Sequence, residues 1–366
     1  MFSPALRFAL LQNDSNICVA GVLFGKGRGG ISHVSRLTLK SLPVHCRISV
    51  LSLLDKQLEG TFGVPTTFCY GSRLTFALAY YRSIFCGSRF IFDQLGPARV
   101  CIGLPGLKQP FCVWIHGMET WENGRRDRLA AARRAKLLIA NSNYTRQRAL
   151  QLHGAPFDRA KVCWLATEED EPPSEPARFD GPPTVLILAR IDAGEQYKGH
   201  RELIECWPGV VSAVPPARLL IVGGGSGLRA VRAQVAGSTV AANIDVTGFV
   251  PEDDMEGIWR RTHVLAMPSR GEGFGLVYIE AMRRGLPVIA SVHDAAPEVN
   301  LDNVTGYNVD LERPDDLPER IIHLLRDPDH AAALGRAGQA RWAEHFRYSA
   351  FRQRFTPIIS DFLASR

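Results

Sequence analysis

Short apolar runs recur along the whole chain, separated in most cases by stretches of helical periodicity, and this alternation constrains the fold more than any single motif. In the first half NICVAGVLF, RISVLSLL, RFIFDQL, FCVWIHG, KLLIANS and KVCWLA read as strands; in the second, TVLILAR, ARLLIVGGG, NIDVTGF, HVLAMPS, PVIASV and GYNVD do. Runs that are apolar throughout belong to strands buried on both faces. Strand and helix in alternation imply parallel sheets covered by helices, an α/β class. With 366 residues the chain exceeds the roughly 250 to 300 at which single cores stop growing. The expectation is two doubly wound, Rossmann-like domains. Ligands of such sheets bind beyond the carboxyl ends of the strands, so two facing domains would enclose a cleft between their strand-end loops.

The segment TEEDEPPSEPARFDGPPT, residues 167–184, is rich in Pro and acid and poor in apolar residues, as a solvated crossing is. It divides the chain into a first domain, 1–166, a linker, 167–183, and a second domain, 184–366. Residues 1–166 carry 22 basic and 8 acidic groups, a balance of +14, and the remainder 21 and 29, a balance of −8. A basic half suits phosphate groups, an anionic lipid surface or nucleic acid, and plain solubility explains it equally well. Nucleic acid fits least, because the basic residues are not interleaved with exposed aromatics. In RRDRLAAARRAK the charges occupy more than half the helical circumference, which reads as a solvated face and not as a membrane-surface helix. In GSRLTFALAYYRSIF, Leu74, Leu78, Tyr81 and Phe85 fall on one stripe, and core packing is the expectation there. The first apolar run, Ile17 to Gly25, is far shorter than the roughly 20 residues of a membrane span. MFSPALRFALLQNDSN lacks the pattern of a secretory leader, so a cytoplasmic location is expected. Eight singly scattered cysteines read as buried free thiols.

Four loops carry candidate chemistry. MPSRGEGFGLVYIEAMRRGLPVIAS, Met267 to Ser291, reads strand, Gly-rich loop, helix, strand. Gly271, Gly273 and Gly275 remove Cβ atoms where backbone N–H groups approach a ligand, and the helix from Leu276 adds its positive end, which together make an anion site. Glu272 in the loop and Glu280 a turn into the helix suit sugar or ribose hydroxyls; loop solvation and an ordinary helix-surface charge are the plain alternatives. LARIDAGEQYKGH places Arg190 at a strand end and Lys198 before a helix, two cations able to hold a diphosphate and stabilise its charge as it leaves. WIHGMETW puts His116 after an apolar strand at the edge that should face the cleft, where a turn or core histidine is the alternative. GKGRGGISHVSRLTLK opens a helix at Gly29 and Gly30, which let a ligand approach the main chain, but it is no Walker loop because no G-K-S/T follows.

Together these pieces resemble the retaining glycosyltransferases of the GT-B fold, in particular family 4. The resemblance rests on E-G-F-G-L-V-Y-I-E with Glu272 and Glu280, and on Gly29-Gly30, His116-Gly117, Arg190, Lys198-Gly199 and the GFVPEDD turn from Gly248 to Asp254. It extends through the terminal LLRDP and AGQARWAEHF helices, nearly the whole chain. It implies a UDP- or GDP-sugar donor bound mainly by the second domain and a glycan or lipid-linked acceptor bound mainly by the first. Arg190 and Lys198 would grip the diphosphate, Glu280 the ribose, and Glu272 with the Gly273, Phe274 and Gly275 backbone the transferred hexose. His116 would face that sugar, and Gly29-Gly30 the phosphates or acceptor. It further implies retention of configuration, no cofactor, no metal, a last helix packed back on the first domain, peripheral contact with an anionic membrane, and a place in bacterial surface-polysaccharide synthesis. Two departures stand out: in HDAAPEVN, Asp294, Ala295 and Ala296 stand before Pro297-Glu298 where a Gly-Gly often does, and about fifteen residues precede the first strand.

An NAD-dependent oxidoreductase is the rival, on Gly225-x-Gly227-x-x-Ala230 after a strand with Asp245 20 residues beyond Gly225. A metal-dependent transferase would need an Asp-x-Asp at a strand end, and Asp327-Pro328-Asp329 lies instead between two predicted helices. A non-catalytic nucleotide-sugar binder on the same fold remains a third reading.

Overall fold

The computed structural model describes residues 16–25, 29–57, 63–102, 109–121, 125–170, 172–174 and 180–364. The leader reading of residues 1–15, and residues 26–28 of the first Gly-rich turn, lie outside the described residues. The chain forms two units, Met1–Glu168 with Tyr348–Arg366, and Glu169–Arg347.

The first unit is built on a parallel sheet of β1 (Asn16–Gly21), β2 (Arg47–Ser52), β3 (Thr66–Phe68), β4 (Arg89–Phe92), β5 (Phe111–Ile115), β6 (Leu137–Ala140) and β7 (Lys161–Val162). Their order is β3-β2-β1-β4-β5-β6-β7. The chain moves outward from β1 in one direction and, from β4, in the other, so the switch point lies between β1 and β4. Sequence reading misses β3, because its three residues, TTF, carry no apolar run. The covering helices are α1 (Gly30–Ser41), α2 (Arg73–Phe85), α3 (Arg126–Arg134), α4 (Asn143–His153) and the C-terminal α11 (Tyr348–Ala364).

In α2 most of the expected core stripe is exposed; of its four residues Tyr81 alone is half-buried, its hydroxyl donating to the Val100 carbonyl. Leu74, Leu78 and Phe85 are 72%, 63% and 80% exposed, whereas Phe76, Tyr80 and Ile84 are buried. Both stripes are apolar at helical spacing, and aromatic packing decides between them: the Tyr80 ring lies 4.5 Å from Phe90 and 6.2 Å from Phe92 of β4.

Helix α11 closes the opposite face. Trp114 of β5 is fully buried, donates its indole N–H to Thr38 Oγ1 at 3.1 Å and stacks at 5.9 Å on Phe355 of α11. Arg89 donates to the Phe362 carbonyl and Arg354 to that of Trp164, pinning the helix at two further points. Glu168, placed by composition in the linker, is instead anchored in this unit. Its carboxylate pairs with Arg36 of α1 and with His33, and its carbonyl accepts from Lys40. Burial works against the Glu168 charge, but the hydrogen bonds and charges of His33 and Arg36 outweigh it and hold its pKa down at about 2. Arg36 also donates to the carbonyls of Phe24 and Gly25, so one guanidinium ties the exit from β1 to the end of this unit's first segment. Cys86 is exposed, while Cys18, Cys46, Cys69, Cys101, Cys112 and Cys163 are buried free thiols.

The second unit contains β8 (Thr184–Leu188), β9 (Arg218–Val222), β10 (Ile244–Gly248), β11 (Val264–Ala266), β12 (Val288–Ser291) and β13 (Gly306–Val309), all parallel in the order β10-β9-β8-β11-β12-β13. Its helices are α5 (His200–Ala213), α6 (Leu228–Ala236), α7 (Met255–Arg260), α8 (Leu276–Arg283), α9 (Asp316–Arg326) and α10 (Pro328–His345). The switch point here lies between β8 and β11. Asp327 caps α10 by accepting from the His330 N–H at 2.9 Å, so the Asp-x-Asp is a helix-joining turn.

Candidate active site

The carboxyl ends of β8, β11 and β12 lie side by side, and three of their loops meet at the switch point of the second unit. The loop after β8 carries Arg190 and Lys198, the loop after β11 carries Glu272, and the loop after β12 carries Asp294. Lys198 and Glu272 form an ion pair across the switch point, their side chains 15% and 14% exposed. Burial opposes the Lys198 ammonium, but the Glu272 carboxylate beside it outweighs this and holds its pKa above the ordinary lysine value. Arg190 is more open, 63% exposed, and pairs with Glu195 and, at 3.0 Å, with Asp192. Tyr197 stands among these charges, its ring 5.1 Å from the Lys198 ammonium.

Main-chain contacts shape the Gly-rich loop. Arg270 donates its backbone N–H to the Tyr197 carbonyl at 2.9 Å, and a Cβ on Gly271 would sit 2.7 Å from the Tyr197 ring. Gly275 has φ +86° and a Cβ there would meet the Tyr278 ring at 2.3 Å. These two glycines therefore serve the close approach of the protein's own aromatic rings, a reason that spacing alone does not reveal. Phe274 is buried, its ring 5.9 Å from that of Phe346, so its side chain takes no part in the loop surface. Gly273 is buried in the same loop, and Glu280 is half-buried one turn into α8, its carbonyl accepting from Arg284.

Asp294 was not singled out by sequence, yet it organises this loop. Its Oδ2 accepts from the Glu272 N–H at 2.8 Å, its Oδ1 accepts from the Ala296 N–H at 2.9 Å, and the Ala295 N–H returns to the Glu272 carbonyl. Burial, and then the nearby Glu272 charge, push its pKa up to about 7. Its bond to the Ala296 N–H is an Asx-turn two residues on, but nothing in HDAAPEVN shows that the same carboxyl reaches the Glu272 N–H.

Gly29, Gly30 and His116 belong to the first unit. Gly29, φ +96°, precedes α1 and its carbonyl accepts from Ser32 and His33. His116 follows β5; its backbone N–H donates to Glu119, and its Nε2 lies 2.6 Å from the Asp93 carbonyl. That contact requires the proton on Nε2. Asp93, at the end of β4 beside the first switch point, is buried; its Oδ2 accepts from the Val22 N–H, and burial pushes its pKa up to about 8.

The dinucleotide fingerprint has another use. A Cβ on Gly223 would lie 1.8 Å from the Ala189 carbonyl oxygen, on Gly225 2.4 Å from that of Ile191, and on Gly227 3.1 Å from the same atom. The Gly227 N–H donates to Ile191, and Asp245 is paired with Arg218. The glycines let this turn pack on the main chain after β8, which occupies the approach a pyrophosphate needs. Among the described residues no group of three His, Cys, Asp or Glu side chains converges as metal ligands do.

Residues 168–341 match the family described as glycosyl transferases group 1. The second unit is a group 1 glycosyl transferase domain. A GDP-mannose-dependent α-(1-6)-phosphatidylinositol monomannoside mannosyltransferase of Mycobacterium tuberculosis is 31% identical over 238 residues, 61% of this chain and 60% of that protein. A GDP-mannose-dependent monoacylated counterpart from Corynebacterium glutamicum is 36% identical over 171 residues, 45% of this chain and 44% of that protein. The chain thus spans about half to three-fifths of the length of these relatives. Among solved structures, the sucrose-phosphate synthase of Thermosynechococcus elongatus superposes with a TM-score of 0.80 at 19% identity, covering 96% of this chain and all of that one. Anabaena HepE in complex with UDP and glucose gives 0.76 at 17% identity, over 94% of this chain and 100% of its own. The fold of the chain is GT-B, as its two switch-point sheets lead one to expect.

Proposed function

We propose that the protein transfers a hexosyl unit, with retention of configuration, from a nucleoside diphosphate sugar to a lipid-linked acceptor in bacterial envelope glycan or glycolipid synthesis. Two relatives are GDP-mannose-dependent by name, and GDP-mannose is the donor we assign. The Lys198–Glu272 pair at the switch point, with Arg190 beside it, carries the reading. In the reaction the bond from the anomeric carbon to the diphosphate oxygen breaks and a bond to the acceptor hydroxyl oxygen forms. The diphosphate oxygen leaves with the bonding pair and takes up the proton of the acceptor hydroxyl. Negative charge grows on the diphosphate, so Arg190 and Lys198 stabilise the transition state more than the ground state. Lys198 stays charged beside Glu272, and Glu272, fixed through its N–H by Asp294, presents a carboxylate to the sugar hydroxyls. Glu280 holds the ribose, the main chain of Gly273, Phe274 and Gly275 the sugar, and His116 with Gly29 and Gly30 serve from the first unit. The reaction needs no cofactor or metal in this scheme, nucleic acid has no part in it, and the place of action is the cytoplasmic side of the membrane. The described residues contain no helix long and apolar enough to cross a membrane.

The test is thermal stability with UDP, GDP and NADH at matched concentration, followed by release of GDP from GDP-mannose. A nucleotide at about 100 times its Kd adds roughly 2.7 kcal/mol. A shift with GDP and turnover of GDP-mannose support the proposal; a shift with UDP alone replaces the donor, and a shift with NADH alone overturns the transferase.

A further inference from the structure

The main chain and the ring of His116 are held by different residues. Its backbone N–H donates to Glu119 and its carbonyl accepts from Asn141 Nδ2 at 3.3 Å, while Nε2 donates to the Asp93 carbonyl at 2.6 Å. Asp93 directly follows β4 and is 2% exposed. Its N–H donates to the Ala20 carbonyl at 3.1 Å and its Oδ2 accepts from the Val22 N–H at 2.7 Å, so one residue joins the ends of β1 and β4 across the switch point. Gly21 makes room for this, because a Cβ there would lie 2.4 Å from Asp93 Oδ2. The other oxygen, Oδ1, is buried without a hydrogen-bond partner among the described residues, and Glu119 on the turn after β5 adds a charge of like sign. A carboxylate here would leave a buried anionic oxygen uncompensated, whereas a proton on Oδ1 removes the charge and leaves Oδ2 free to accept. The pKa agrees, pushed up to about 8 by burial first and then by Glu119.

We infer that Asp93 is a positioning residue for the transfer: as an uncharged acid spanning the ends of β1 and β4, it fixes its own carbonyl and through it the ring of His116. A general base or an electrostatic partner would need the charge. A clamp needs only the accepting Oδ2 and the shape of the side chain. Its purpose rests on the part proposed for His116 and not on the assigned donor.

The experiment compares Asp93→Ala, Asp93→Asn, His116→Gln and the pair Asp93→Ala/His116→Gln with the unaltered chain, in steady-state release of GDP from GDP-mannose and in the downfield imidazole N–H proton spectrum of the whole protein. A reacting group misplaced by ~1 Å costs up to about 100-fold, so Asp93→Ala should lower kcat at least about tenfold, with KM for GDP-mannose changed less than about threefold. Asp93→Asn keeps the accepting oxygen and the shape without a charge, and should hold kcat within about threefold of the unaltered chain. The pair should be no slower than His116→Gln alone, because both changes act through one ring. Above about pH 8 the unaltered chain gains the buried charge and should lose kcat, while Asp93→Asn stays level there.

The spectrum carries its own folding control. His33, His116 and His153 of the first unit each hold Nε2 2.6 Å from a main-chain carbonyl, of Ala166, Asp93 and Thr120 respectively. The His116 signal, assigned by its loss in His116→Gln, should move and exchange faster with water in Asp93→Ala, while those of His33 and His153 stay in place. An inactive Asp93→Asn would make Asp93 a charged participant and overturn the inference. An unmoved His116 signal in Asp93→Ala, or an alkaline fall that persists in Asp93→Asn, would overturn it too. Full kcat in Asp93→Ala beside a slow His116→Gln removes the role of Asp93 alone; full kcat in His116→Gln removes the part of His116 and this role with it. If the unaltered chain turns over a UDP-sugar and not GDP-mannose, the donor assignment falls and the same comparison with that sugar decides the role of Asp93.

Discussion

Removing Lys198 or Glu272 alone should cost the second unit far more than the pair is worth as a whole. With 15% and 14% of their side chains exposed, neither charge can be rehydrated when its partner is lost. Breaking a buried pair costs about 3 to 5 kcal/mol, and the remaining exposure puts Lys198→Met and Glu272→Gln each near the lower end, about 3 kcal/mol. The double variant removes both charges at once and should cost no more than either single change. Independent sites would give about 6 kcal/mol, so the coupling is about 3 kcal/mol. For a unit the size of Glu169–Arg347 each single change corresponds to a fall in Tm of about 6 to 12 °C. Thermal and urea unfolding of the four proteins, without nucleotide and at slightly alkaline pH, measure the cycle. If the two single effects add to within about 0.5 kcal/mol in the double variant, the ion pair is not what holds these loops together and the reasoning fails. With GDP present the two singles should separate: Glu272→Gln retains the nucleotide-induced shift, and Lys198→Met loses most of it.

Four further outcomes are expected. Because the folded pKa of Asp294 is raised to about 7, the folded chain binds more protons than the unfolded one between about pH 4 and 7, so this group's contribution falls as pH rises through that window, by up to ~1.4 kcal/mol per unit. Asp294→Asn should flatten that part of the curve of urea midpoint against pH. Glu168 acts in the opposite sense: its folded pKa of about 2 gives stability present above the ordinary glutamate range and lost as pH falls toward 2, and Glu168→Gln should remove that acid limb. Arg190→Ala should lower kcat for GDP-mannose turnover at least tenfold with a smaller change in GDP affinity; unchanged kcat at saturating donor would refute a role on the leaving group. Gly275→Ala, which forces a Cβ onto the Tyr278 ring at φ +86°, should cost more than about 1 kcal/mol and abolish the GDP shift.

Every run singled out in the sequence forms a strand; the central strands, such as β5 and β12, are buried throughout and so must be apolar throughout, which leaves a run that no surface helix imitates. β3 escaped because an edge strand of three residues needs no such run. The stripe on α2 was misjudged for a related reason: periodicity shows that a face is apolar, not which of two apolar faces the sheet covers. At the site, Lys198 and Glu272 were legible as charges at strand ends, since strand order alone brings neighbouring strand-end loops together. Asp294 was not, because its partners are main-chain N–H groups, and these have no letter in a sequence. The fingerprint at Gly225 and Gly227 misleads in the same way: glycine records that something approaches closely, and here it is the carbonyl of Ile191.

The chain leaves the first unit after Glu168 and re-enters it at Tyr348, which sets an order of events during synthesis. When Trp114 and the outer surface of β5 emerge from the ribosome, Phe351 and Phe355, the aromatic rings destined to cover that indole, are still to be made. At about 5 to 20 residues per second the gap lasts roughly 12 to 48 seconds, long enough for the uninterrupted second unit to fold while the first waits with an uncovered face. Chains truncated before Tyr348 should therefore hold a folded second unit and an aggregation-prone, protease-sensitive first unit, and α11 supplied in trans becomes the natural reagent for completing it.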